Sequence, residues 1–234
     1  MEYVLLCLKR SNKTLTAKAE DNLYKVIGEI LINAEEHSDT DKRYSIGYFQ
    51  ENNEKGDEGV FNLVIFNFGQ TIYEKFKSDT CPNQKAVQEM KALSETYTRK
   101  KFFMNAEFEE ETLWTLYALQ EGITSHKDWK RGNGSIRFID SFFKLKGDSD
   151  CDDISKMTIL SGNARITFNG KYRIIEKAKP GQRKPSKLMT FNNSGGFDEK
   201  PDKKFVTFAD NYFPGTMIVA KIGIKYDSLM EREV

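Results

Sequence analysis

Glu29, Asn33 and His37 recur at every fourth residue in the stretch Leu23–Ser38, LYKVIGEILINAEEHS. On a helix this spacing keeps the three side chains near one face. A carboxylate one turn before a carboxamide suits a metal–phosphate site. The amide oxygen can ligate Mg²⁺, an ion that takes oxygen ligands and shares them with phosphate and water. The carboxylate can orient or deprotonate an attacking water. His37 is better read as a helix-end cap or packing residue. Gly132-Asn133-Gly134 follows Lys130 and Arg131 and opens an apolar helical stretch. Bare backbone N–H groups, a helix N-terminus and two cations are the parts of a phosphate-binding turn. Asn67-Phe68-Gly69 closes an apolar run, and Thr216 follows Phe213-Pro214-Gly215 at the start of another.

These residues need elements to hold them. Val26, Ile27, Ile30, Leu31 and Ala34 form an apolar stripe beside the polar row, so Leu23–Ser38 reads as an amphipathic helix at the border of a core. Tyr44–Gln50 and Val60–Phe66 flank the turn-rich Asn52–Gly59 and read as a hairpin. Gln84–Tyr97 and Glu109–Gln120 carry strong helix formers, with Pro82 before the first and Gly122 after the second. Ile136–Leu145 fits a buried helix, and Gly147–Asp153 a polar connector. Strands are expected at Met157–Leu160, Ala164–Phe168, Tyr172–Glu176, Leu188–Phe191, Phe205–Ala209 and Thr216–Ile224. Gly162-Asn163 and Asn169-Gly170 look like tight turns between the first three. Lys177–Lys187 and Asn192–Lys204 read as surface loops. Residues 1–22 form a lead-in whose VLLCL is a strand or a helix start, and 23–234 form one domain. Helices first and antiparallel strands last give an α+β fold, with helices on one face of a mixed, mostly antiparallel sheet.

Composition narrows the function classes. The 234 residues carry 36 basic and 35 acidic side chains, a formal charge of +1, which exerts no general pull on nucleic acid or an anionic membrane. The basic Lys177–Lys187 is explained by loop solvation. No apolar run is long enough to span a bilayer, and the N-terminus lacks the layout of a cleavable signal. Cys7, Cys81 and Cys151 are scattered, which fits a reducing cytoplasm. Two histidines cannot build a histidine-rich metal site, and no G-x-S-x-G elbow occurs.

Taken in order, E-x-x-x-N-A-x-x-H on a helix, N-F-G after a strand, a helical insertion, G-N-G before a helix and F-P-G-T at a last strand form one set. The set resembles the GHKL superfamily of ATP-binding domains, which includes gyrase-like ATPases, heat-shock-90-type chaperones, histidine kinases and MutL. The resemblance spans Leu23 to Ile224 and implies a Bergerat fold, a two-layer α/β sandwich, with an ATP lid and helical insertion at about 79–129. It implies ATP and Mg²⁺ as ligands, Glu29 as general base for hydrolysis and Asn33 as the metal ligand. Nucleotide contacts fall to Asn33, Asn67, Gly69, Ile72, Lys130, Arg131, Gly132, Asn133, Gly134 and Thr216. The second box departs from the family, with Asn67 where an Asp is usual and Thr71 where a second Gly is usual. A carboxamide can still accept from an exocyclic amine, but it brings no charge. Slow ATP hydrolysis is the activity implied. The alternatives are a kinase-like regulator that phosphorylates or sequesters a partner protein, and a nucleotide-sensing interaction module without turnover. A protein partner or neighbouring domain is expected, a homodimer is compatible, and neither a membrane nor nucleic acid is.

Overall fold

The computed structural model describes residues 2–10, 13–36, 42–51, 59–98, 108–126, 132–146, 154–178, 184–224 and 229–231. In chain order these form α1 (Glu2–Arg10), β1 (Lys13–Leu15), α2 (Ala17–Glu36), β2 (Arg43–Glu51), β3 (Gly59–Phe68), α3 (Ile72–Lys77) and α4 (Gln84–Tyr97). They continue with α5 (Glu110–Ala118), α6 (Gly134–Lys146), β4 (Lys156–Phe168), β5 (Ile175–Lys177), β6 (Ser186–Leu188), β7 (Val206–Ile224) and β8 (Leu229–Glu231). The class is α+β. No helix among the described residues is long and apolar enough to cross a membrane.

The main sheet has the order β2-β3-β7-β4. Every described pairing in it is antiparallel, where the sequence reading expects a mixed sheet. β7 returns between β3 and β4, so no neighbouring pair needs the crossover that parallel strands require. β1 pairs with β8 and β5 with β6 in two small ribbons.

One face of the sheet is built in rows. Cross-strand partners on it are Leu63, Ala220 and Met157, then Ile65, Ile218 and Ile159, and last Asn67, Thr216 and Ser161. The period-2 alternation of β3 puts Phe61, Leu63 and Ile65 inside. α2 and α6 pack together over this face, burying Leu23, Val26, Ile27 and Ile30 from one helix and Ile136, Phe138, Ile139 and Phe142 from the other. The core they form runs into a smaller one, where Phe76, Met90 and Trp114 of α3, α4 and α5 meet. On the opposite face Tyr44, Ile46 and Tyr48 stay exposed, and Tyr44 stacks on Phe66.

Several elements differ from expectation. VLLCL lies in helix α1, the helix of its two expected readings, while α2 begins at Ala17 rather than Leu23. The short α3 follows Thr71, whose side chain and that of Glu74 form a capping box. Gly162-Asn163 is not a turn. β4 runs through it with register shifts, and Gly162 (φ +60°) is a bulge residue. Likewise Phe205–Ala209 and Thr216–Ile224 are one strand, β7, so Phe213-Pro214-Gly215-Thr216 lies within a strand and does not open one. Pro214 is tolerated because β7 up to that point pairs with β4 alone.

Candidate active site

The rows of the sheet change character at their end. Two apolar rows give way to Asn67, Thr216 and Ser161, three polar side chains side by side on β3, β7 and β4. Asn67 is 2% exposed and Ser161 fully buried. The Ser161 hydroxyl accepts from the Ile72 N–H at 2.9 Å, lies 2.9 Å from the Thr216 hydroxyl and 3.1 Å from the Gly215 carbonyl oxygen. One buried hydroxyl thus fastens the start of α3 to the middle of β7.

A cleft opens over this boundary. Its floor is Ile65, Ile159 and Ile218 together with Asn67 and Thr216. Ile30 of α2 and Phe138 of α6 form one wall; Ile72, Lys75 and Phe76 of α3 form another. The segment Ile123–His126 and the turn containing Gly132, Gly134 and Ser135 complete it. The cleft encloses about 860 Å³ with its open mouth included.

The predicted residues fall into three groups. Asn67, Ile72, Gly132, Gly134 and Thr216 all line the cleft. Three others sit beside it. The Gly69 N–H donates to the Pro214 carbonyl oxygen at 3.2 Å, joining the end of β3 to β7. The carboxamide oxygen of Asn133 accepts from the Gly122 N–H at 3.0 Å, which braces the turn. Glu29 lies on α2 next to the lining Ile30, and its carboxylate is 3.6 Å from the Arg137 guanidinium on α6. Asn33 is in α2 one turn further on, but its side chain lies outside the described residues, as do Lys130, Arg131 and His37. No family model, curated protein or solved structure matches this chain.

The glycines are where backbone approaches closely. A Cβ on Gly132 would stand 2.6 Å from the Gly122 carbonyl carbon, and the Gly122 N–H donates to the Gly132 oxygen at 2.8 Å. Gly132 thus lets the segment before α6 lie against the end of α5. At Gly215 (φ +147°) a Cβ would stand 2.1 Å from the Asn67 carbonyl oxygen. Only glycine lets β7 approach the backbone of Asn67 this closely.

Behind the polar row, Glu111 accepts from the Asn163 N–H at 2.8 Å. Burial pushes its carboxyl up, the amides of Asn163 and Ala164 draw it down, and nearby Glu74 adds to the rise. Glu74 accepts from the Tyr212 hydroxyl at 3.1 Å and from the Thr71 N–H at 2.7 Å.

Lys75, His126, Ser161 and Arg137 are site residues that motif reading did not find. Ser161 had no local signal, because its role comes from strand register across positions 72, 161 and 216. Lys75 had a weak one, as a cation on the first turn of chain after N-F-G.

The residues fit the organic and phosphate parts of a nucleotide. An apolar floor ending in a buried carboxamide suits the face and edge of a base. The N-terminus of α6, entered through Gly132 and Gly134, offers N–H donors and a partial positive charge to phosphate. Among the described residues no three His, Cys, Asp or Glu side chains gather as a metal site. A cation there would depend on Asn33 and on oxygens of the ligand itself.

Proposed function

We propose that this chain is a GHKL-type domain with a Bergerat fold that binds ATP with Mg²⁺ in the cleft between α2, α6 and the sheet. The observation that carries the reading is the convergence of Asn67, Ile72, Gly132, Gly134 and Thr216, scattered over 150 positions of sequence on the order of half the chain or more, on one slot. The base lies on Ile65, Ile159 and Ile218 with its polar edge toward Asn67 and Thr216. The phosphates extend to the N-terminus of α6; Lys75 of α3 and His126 also line the cleft. Mg²⁺, when bound with ATP, neutralises phosphate charge and polarises the terminal phosphoryl group. Asn33 would hold it, and Glu29 would take the proton of the attacking water. Glu29→Ala is expected to abolish phosphate release while leaving nucleotide binding within about twofold, since the side chain is not part of the cleft lining. Phosphate release by the variant equal to that of the parent chain would reject Glu29 as the base.

The Glu29–Arg137 ion pair favours a second reading, a nucleotide-dependent interaction module without turnover. The pair engages the Glu29 carboxylate with α6, outside the cleft lining. Binding of ATP and ADP with no phosphate released, in the parent chain and in Arg137→Ala alike, selects the module.

A further inference from the structure

The main sheet has two outer edges, and they are built differently. On β4 the ladder with β7 shifts register on either side of Gly162, and irregular pairing of this kind blunts an edge. β2 pairs with β3 without a shift through all nine residues from Arg43 to Glu51. From Tyr44 to Gln50 it carries no Pro, no Lys and no other charge. Among the described residues no strand pairs with its far side. Ser45 and Ile46, on opposite faces of the strand, are both exposed. A long, regular edge of this composition is a template for another strand.

The direction of its main-chain groups follows from the neighbouring ladder. The Gly69 N–H donates to the Pro214 carbonyl oxygen, and β3 keeps one register with β7 back to Gly59. Phe61, Leu63, Ile65 and Asn67 therefore bond toward β7, and Asn62, Val64 and Phe66 toward β2. Those three face Tyr48, Ile46 and Tyr44, so Arg43, Ser45, Gly47, Phe49 and Glu51 turn their N–H and C=O outward. A second copy laid antiparallel to this edge, about a two-fold axis at Gly47, pairs all nine residues. Gly47 meets its own counterpart, Ser45 meets Phe49, and Arg43 stands opposite Glu51 at each end, a cation against a carboxylate. On the open face Ile46 stands opposite Tyr48 in pairs without hydrogen bonds, where side chains come closest. In the single chain these two are 64% and 54% exposed. An axis at Ile46 or Tyr48 instead loses the Arg43–Glu51 pairs and leaves strand ends unpaired. We propose that this chain forms a homodimer through β2, joining two four-stranded sheets into one continuous sheet with the helices of both copies on the same side. The inference is independent of the nucleotide reading. Nine residues at about 3.3 Å each make a seam about 30 Å long, a small interface, so a dissociation constant of about 1–10 µM is expected.

Sedimentation equilibrium of the full chain from about 1 to 100 µM tests it, with a reversible monomer–dimer equilibrium as the expected result. Ile46→Lys puts a charge at the seam, and Ser45→Pro deletes only an outward N–H; each should raise the dissociation constant by about a hundredfold. Arg43→Glu and Glu51→Arg each set like charges opposite one another at both ends, and each should weaken self-association by about tenfold. An equimolar mixture of those two variants should restore it, since every end then pairs opposite charges. Circular dichroism of each variant separates lost pairing from lost fold. A parent chain that stays monomeric at about 100 µM overturns the inference, as does a dimer that Ile46→Lys and Ser45→Pro both leave intact. A mixture no tighter than either charge variant alone overturns the register about Gly47.

Discussion

Thr216 is the residue at which function and stability can be separated. Its hydroxyl touches Ser161, which keeps two other partners, the Ile72 N–H and the Gly215 oxygen, when Thr216 is changed. Thr216→Val therefore orphans no buried polar group, and its effect on stability should stay within about 1 kcal/mol. Nucleotide affinity should fall by about tenfold, because the cleft loses one of its two polar floor contacts. Denaturant unfolding and a binding titration on the same sample check both halves. Asn67 and Gly132 were legible from sequence because they sit in short motifs whose backbone chemistry is local. Ser161 was not, because its environment is made by residues 55 and 89 positions away.

At the scale of elements, the bulged crossing of β4 and β7 shapes the site. β7 passes from Phe208 to Phe213 while β4 passes only from Ala164 to Gly162. The slack brings Gly215 against the backbone of Asn67. Gly215→Ala should cost about 3 kcal/mol or more, from a φ that side chains rarely adopt and a Cβ meeting the Asn67 carbonyl oxygen. Nucleotide binding should fall with it, and thermal unfolding against a titration reads the two together. Sequence reasoning took Gly162 and Gly215 as punctuation between strands. A glycine with positive φ serves a turn or a bulge equally, and only pairing partners far along the chain decide which. Helix α4 matched its expected limits because Asn83, whose side chain accepts from the Ala86 N–H, caps a run of good helix formers. The hairpin β2–β3 was legible from its alternation.

The fastening of α6 to the outer ribbon is electrostatic. Asp140 on α6 lies 2.8 Å from the Lys187 ammonium on β6 and 3.0 Å from that of Lys144. Burial alone would raise its carboxyl, but the two ammonium groups outweigh burial and hold it below the usual aspartate range. A depressed folded value means stability that is fully present above the ordinary carboxylate range, about pH 4, and lost as pH falls through the folded value. Asp140→Asn should thus melt lower than the parent chain at pH 7, and the gap should narrow toward pH 3. A gap that stays constant between those two pH values would show that Asp140 contributes by packing alone.

For the molecule as a whole, the layout is a sheet with α2 and α6 on one face and an exposed aromatic surface on the other. The described candidate site residues lie on the helix-covered side or at its edge. The apolar core ends at the Asn67–Thr216–Ser161 row, and the slot is the space left where α3, the Ile123–His126 segment and the N-terminus of α6 fail to close over it. A ligand that fills this slot in the folded chain alone must raise its stability. At a hundred times the dissociation constant the gain is about 2.7 kcal/mol. For a chain of this size that shifts the melting midpoint by about 5–10 °C.

The most direct measurement is therefore the melting midpoint of the parent chain and of Thr216→Val as ATP is raised to millimolar concentration with Mg²⁺. The account predicts a saturable rise in the parent chain, and a midpoint in Thr216→Val that starts at a similar temperature and rises only at about tenfold higher ATP. A parent chain whose midpoint does not move at millimolar ATP would contradict it.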